Sequence, residues 1–179
     1  MVRRGIVRAA RAAAFVAALA AAVPASAEKL VFDHRLSLAL EAAFNDSDPA
    51  RIAYDARNPA YVTDLVAVRG TAKDWTEALV IIARKPGGAV RTAADWKAEL
   101  QAQALAKCPA TFTTVAQDAE SVTFERRSTG CAPGYPPIAI YRAVGRGKSL
   151  FLLTAMAKDG LSDDSLKQWR AVFASARIE

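Results

Sequence analysis

The chain is short of the residues on which most enzyme chemistry rests. It has one histidine, His34, and two cysteines, Cys108 and Cys131, among 179 residues. That supply is too small for a three-ligand site built from imidazoles and free thiolates. No Cys-x-x-Cys pair occurs, and no spacing of acids points to a carboxylate metal site. Asp46 and Asp48 fall in the turn cluster Asn45–Pro49, without the glycine and distal glutamate of a calcium loop. Gly145-Arg146-Gly147 joins two apolar runs, so its amides serve a turn and not the start of a phosphate-binding helix. His34 lies between Asp33 and Arg35, but neighbours on a strand face opposite ways, and no motif marks a nucleophile. It reads as a surface histidine, and no cofactor is implied.

Long hydrophobic runs are also missing. Ala12 to Val23 is about a dozen residues and mostly alanine, short of the ~20 that a membrane span requires. Arg3, Arg4, Arg8 and Arg11 precede it without an acid, and Ala25-Ser26-Ala27 follows in small-x-small form. This is the pattern of a secretory signal peptide, residues 1–27, cleaved after Ala27. No cysteine stands at the cleavage point, which argues against a lipid anchor. The paired Arg3-Arg4 loosely resembles a twin-arginine signal, with the unfolded-export route preferred.

Loss of the leader removes four arginines and no acid, so the +6 of the full chain becomes +2 in residues 28–179. A near-neutral domain is a poor binder of nucleic acid through phosphate neutralisation. At about 150 residues the remainder suits one domain that buries roughly 70% of its unfolded surface. An exported chain meets an oxidising compartment such as the periplasm, so Cys108 and Cys131 are expected to form a disulfide. Such a bridge stabilises by roughly 3 kcal/mol.

What the chain does have is strand signal. Ile138–Val144 and Leu150–Ala157 are apolar on both alternating faces and flank the turn Gly145–Lys148, which marks a hairpin in the middle of a sheet. Tyr61–Arg69 and Trp75–Arg84 read as strands, as do Phe112–Ala116 and Val122–Arg126. Arg51–Asp55 is a weaker candidate, and Arg35–Asn45, with Leu36, Leu38, Leu40 and Phe44, fits a strand or a helix. Thr92 and Asp95 make a capping-box variant at the start of a helix over Ala93–Lys107, stopped by Cys108-Pro109. Ser162 caps a last helix with Leu166, Trp169, Val172, Phe173 and Ala176 on one stripe. Helices separated by hairpins imply an α+β domain: a single antiparallel sheet of about six or seven strands packed by two main helices. Residues 28–60 are the part for which this reading says least.

Asp74-Trp75-Thr76-Glu77, Cys108, Cys131, Arg142-Ala143-Val144-Gly145, Leu150-Phe151 and Gln168-Trp169 follow one another in this order. The series resembles a family of small exported bacterial proteins over residues 60 to 177, and the strand order resembles the PsbP-like fold. That resemblance implies a protein that docks onto a larger assembly, although fold analogy says little about function.

Arg126, Arg127, Arg142, Arg146 and Lys148 lie on or beside the strands after the first long helix. If these strands pair, the cations share a rim that can bind an anionic ligand or an envelope protein; as ordinary edge charges they would only deter unwanted strand pairing. The expected function is thus a non-enzymatic cell-envelope binding protein, periplasmic or secreted, acting through its sheet or the Gly130–Pro137 loop. The alternative is a hydrolase-type enzyme using carboxylates such as Asp74, Glu77 or Glu125 around a cleft. Oligomeric state is not indicated.

Overall fold

The computed structural model describes residues 28–45, 52–54 and 61–179. The expected leader, the tip of the Asn45–Pro49 turn and the Asn58-Pro59 turn lie outside these residues. Seven strands form one antiparallel sheet in the order β2-β3-β4-β8-β7-β6-β5. They are β2 (Ile52–Tyr54), β3 (Tyr61–Gly70), β4 (Trp75–Arg84), β5 (Ala110–Gln117), β6 (Ser121–Ser128), β7 (Ile138–Arg146) and β8 (Ser149–Ala157). A separate two-residue ladder pairs β1 (Leu30–Val31) with β9 (Arg177–Ile178). The fold is α+β, as the alternation of hairpins and helices implies, with this second small sheet added. Three helices pack on the strands: α1 (Leu38–Asn45), α2 (Ala93–Leu105) and α3 (Asp163–Ala174).

The β7–β8 hairpin lies at the centre. Arg146 pairs with Ser149, which leaves Gly147-Lys148 as a two-residue loop. Gly147 has φ of 55°, the left-handed conformation that the first loop position of such a turn demands. With both neighbours in place, β8 carries Leu152 and Leu153 on opposite faces, and both are buried. Each face needs its own cover, and the helices divide the work.

On one face α3 and α1 cover the sheet. Trp169, Val172 and Phe173 pack with Leu40 of α1 against Leu79, Ile140 and Leu153. The stripe read from the sequence is thus the core-facing side of α3, and Ser162 caps it by accepting from the Ser165 amide at 3.1 Å. The Arg35–Asn45 segment is mostly helix. Ser37 accepts from the Leu40 amide, so the chain turns at Ser37 and starts α1. Leu36 and Leu38 are exposed while Leu40 and Ala43 are buried, so the apparent period of two had no packing meaning.

On the other face α2 lies across β6, β7 and β8. Trp96 packs with Val122, Phe124, Ala143, Leu150 and Leu152. Its first turn is closed by the capping box: Thr92 Oγ1 accepts from the Asp95 amide at 3.1 Å, and Asp95 accepts from the Thr92 amide at 2.9 Å. Cys108 follows α2 and is bridged to Cys131, with the Cα atoms 5.1 Å apart. The bridge fastens the irregular segment between β6 and β7 to the end of α2. No helix among the described residues is long and apolar enough to cross a membrane.

Candidate functional site

Strand alternation decides where each cation goes, because successive side chains leave a strand on opposite faces. Arg126 follows Val122 and Phe124 at intervals of two, and those residues belong to the α2-facing core. Arg127 is exposed and turned the other way. Arg142 and Arg146 alternate with Tyr141 and Ala143 and fall on the α3 side. Lys148 is exposed in the hairpin loop. The five cations do not form one rim. Arg126 is level with Ala139 at the start of β7, and Arg146 ends that strand, seven residues and roughly 23 Å further on.

The structure does bring Arg142 and Arg146 together, in an open groove of about 520 Å³ that also holds Asp118, Glu120 and Arg177. The Arg142 nitrogens are all engaged, and Arg146 is engaged through one nitrogen. Arg142 gives Nε and Nη2 to the Ala176 carbonyl at 3.3 and 3.2 Å and Nη1 to Thr123 Oγ1 at 2.9 Å. Arg146 Nη1 donates to the Ile178 carbonyl at 3.0 Å. These arginines stitch β7 to the carbonyls that follow α3, where a cation also suits the negative helix end.

Arg126 is the exception. It is 2% exposed, and among the described residues its Nη2 donates to the Pro136 carbonyl at 2.6 Å, with the Tyr141 hydroxyl beside the same guanidinium. Nε and Nη1 are buried without a partner, as is Oγ of Ser128 two residues on. Three of the four such atoms among the described residues therefore belong to one end of β6. Glu125, the adjacent acid, points to the opposite face and bonds Arg170 at 2.6 Å. It cannot neutralise Arg126. An unpaired buried cation costs on the order of several kcal/mol, so this position is destabilising unless something compensates it.

Arg126 lines a cavity of about 240 Å³ between α2, the sheet and the Gly130–Pro137 loop. Val80, Leu152 and Met156 supply apolar floor from β4 and β8; α2 contributes Leu100 and Lys107. The loop folds inward, so that the ring of Tyr135 covers the Arg126 guanidinium, 4.3 Å from its centroid. Lys107 approaches the same ring at 5.5 Å. Tyr141 also lines the cavity and stacks on Phe124, with centroids 4.8 Å apart and planes 11° from parallel. Burial pushes the Tyr141 phenol above its ordinary value, while the positive charge of Arg126 and a hydrogen-bonding contact with its guanidinium pull the other way. Tyr141 is therefore a neutral hydroxyl at physiological pH.

The acids of the hydrolase alternative are not brought together. Asp74 is exposed and paired with Lys158 at 2.9 Å. Glu77 is buried on β4, where it accepts from Trp169 Nε1 at 2.7 Å and from Arg69 Nε at 3.1 Å. Glu125 is buried on β6, three strand spacings away, or roughly 14 Å at ~4.8 Å each. His34 is half-buried against Phe44, with ring centroids 5.1 Å apart, in a short 3-10 turn and not a strand. Asp33 is committed to Arg35. Among the described residues no group of three or more His, Cys, Asp or Glu side chains is placed to hold a metal ion.

The cavity was partly hidden in the sequence. The order Val122, Phe124, Arg126 along one strand face would have placed a cation beside an apolar core. Nothing local in Tyr135-Pro136 announces that this turn folds back over Arg126.

No family model matches the chain, and no curated protein matches it. Among the matching solved structures is a crystal structure from Bacteroides thetaiotaomicron VPI-5482 at 1.50 Å resolution. It is 13% identical, with a TM-score of 0.31, and the match covers 73% of this chain and 43% of the other. The chain thus spans less than half of that protein's length, and so slight a likeness carries no inference.

Proposed function

We propose that the chain is an extracytoplasmic binding protein, exported after loss of its leader, that holds a small anionic ligand on the α2 face of its sheet. One observation carries this reading: Arg126 is a buried cation with two unpartnered nitrogens in the wall of a largely apolar cavity. An anion seated there would supply the missing partner, so binding energy is available that an exposed arginine could not provide. The Cys108–Cys131 bridge suits an oxidising compartment. The wide separation of Glu77 and Glu125, each already hydrogen-bonded, favours binding over carboxylate catalysis.

Thermal unfolding of the protein and of its Arg126→Met variant, in a panel of organic anions at matched ionic strength, tests the reading. A ligand of the native state raises the midpoint by mass action. The expected result is a rise with some anions in the parent and none in Arg126→Met, with the variant's fold checked by circular dichroism. Midpoints that respond identically in both proteins would sink it.

A further inference from the structure

We infer that the ligand is a monocarboxylate with a compact apolar body, close to benzoate in size; the inference rests on the anion-binding reading above. Charge balance gives the first limit. Arg126 is the buried cation of the cavity, and among the described residues no acid pairs with it. Lys107, the other cation of the lining, is exposed and solvated. One negative charge therefore neutralises the buried guanidinium, whereas the second charge of a phosphate monoester would be left in a largely apolar surround.

Geometry gives the second limit. A guanidinium presents five donors in one plane, matched to the flat pair of oxygens on a carboxylate. The Pro136 carbonyl takes one N–H of Nη2, so a carboxylate can pair the second N–H of Nη2 with its unpartnered neighbour, Nε or Nη1. Tyr141, kept neutral by burial, adds a hydroxyl close to the same cation.

Size and lining give the third. The cavity of about 240 Å³ falls below the ~300 Å³ at which sites for drug-sized ligands begin. It is open at its mouth, so this volume sets the size of the part of the ligand that is enclosed and not of the whole molecule. Val80, Ile82, Leu100, Leu152 and Met156 outnumber the polar Gln103 and Thr154 in the lining, which suits a mainly apolar body such as a small ring.

Tyr135 controls the approach. Its ring covers the guanidinium face, and the unpartnered nitrogens are closed to solvent. The carboxylate therefore reaches Arg126 by displacing that ring. Gly134, with φ of 83°, gives the loop a turn just before Tyr135, and Cys131 pins its near end to α2.

Titration calorimetry with benzoate, benzamide, phenyl phosphate and acetate, at matched ionic strength, tests the assignment. Benzoate is expected to bind at least about tenfold more tightly than each of the other three, and to lose at least about tenfold in Arg126→Met. Benzamide has the shape without the charge and acetate the charge without the body, so equal binding of either overturns the assignment without any variant having to fold. Phenyl phosphate binding more tightly than benzoate, and lost in Arg126→Met, rejects the carboxylate but keeps the anion site. Benzoate binding unchanged in Arg126→Met, or no anion binding at all, overturns both.

Discussion

Trp169 donates its indole N–H to Oε1 of Glu77 at 2.7 Å, joining α3 to β4 across ninety-two positions of the chain. Both residues are buried. Arg69 supplies Glu77 with a second donor at 3.1 Å from the exposed side, so the carboxylate is satisfied from two directions. Trp169→Phe preserves most of the apolar packing against Phe173 and removes the donor. Leaving a buried carboxylate oxygen without its partner costs about 1–3 kcal/mol, and the smaller ring adds a packing loss. A lower urea midpoint with an unchanged slope is expected; an unchanged midpoint would mean that Arg69 alone satisfies Glu77.

The Trp169 relationship also marks how far sequence reading goes. The α3 stripe, the Thr92–Asp95 capping box, the β7–β8 hairpin and the Cys108–Cys131 bridge were legible because each follows from local spacing or from a forced pairing. Neither acceptor, Glu77 or Glu125, announces its partner, since Trp169 and Arg170 come from a helix packed across the sheet. The same holds for Arg126. Its neighbours Val122 and Phe124 give away its face, but the Arg126-Arg127 pair reads as surface charge until Tyr135 and Pro136 are seen folded over it. Grouping five cations by nearness in sequence ignored the strand rule that sends alternate residues to opposite faces.

Removing the bridge by replacing Cys108 and Cys131 with Ala is expected to cost roughly 3 kcal/mol of stability. Denaturant unfolding of the parent and the double variant measures the loss. Adding a reductant should lower the parent midpoint and leave the variant unchanged. Because the bridge fixes the loop that carries Tyr135, the variant is also expected to hold the α2-face ligand less tightly. Equal stability with and without the bridge would show that packing alone positions this loop.

Acid should loosen two turns. Asp118 accepts from Ser121 Oγ at 2.8 Å and from the amides of Glu120 and Ser121 at 2.8 and 2.7 Å. These bonds hold its carboxyl below the ordinary value of 3.8. Asp95 is lowered in the same way, first by the Arg91 amide and then by Thr92. The native state therefore binds these protons more weakly than the unfolded chain. The stability they contribute is present above 3.8 and is lost as pH falls through the lower native values. Asp118→Asn is expected to be less stable than the parent at neutral pH and to converge with it only in acid, once the pH has fallen below the lowered native value of Asp118. Parallel curves for the two proteins across that range would contradict this.

Gly70 ends β3 with φ of 88°, and a Cβ placed there would meet the carbonyl oxygen of Asp74. Gly70→Ala therefore combines a disfavoured backbone conformation with a backbone clash, where no flexible side chain can give way. The expected cost exceeds about 1 kcal/mol. Gly130 also has a positive φ, of 64°, but a Cβ there would meet nothing within 4 Å. Gly130→Ala carries the conformational penalty alone and should be the milder change. Urea midpoints rank the pair, and the reverse order would remove the clash from the explanation.

Two buried arginine contacts on β6 should respond oppositely to deletion of charge. Arg170→Met removes the partner of Glu125, whose side chain is 6% exposed against 46% for the arginine. A buried carboxylate is then left with one fewer donor, a loss of about 1–3 kcal/mol, toward the lower end because solvent screens the exposed partner. Arg126→Met removes a cation that has no acid to leave behind, and its aliphatic replacement keeps much of the packing under Tyr135. The hydrogen bond to the Pro136 carbonyl is forfeited, together with the contact of the guanidinium with the Tyr141 hydroxyl. Exchanging a poorly compensated buried charge for an apolar side chain is commonly neutral or stabilising, so Arg126→Met should unfold at the same urea concentration as the parent or a higher one. A protein that keeps a residue at a cost to its own stability must gain something else from it. If Arg126→Met instead destabilises as much as Arg170→Met, then Arg126 is an ordinary structural contact, and the α2-face cavity loses its claim to be a site.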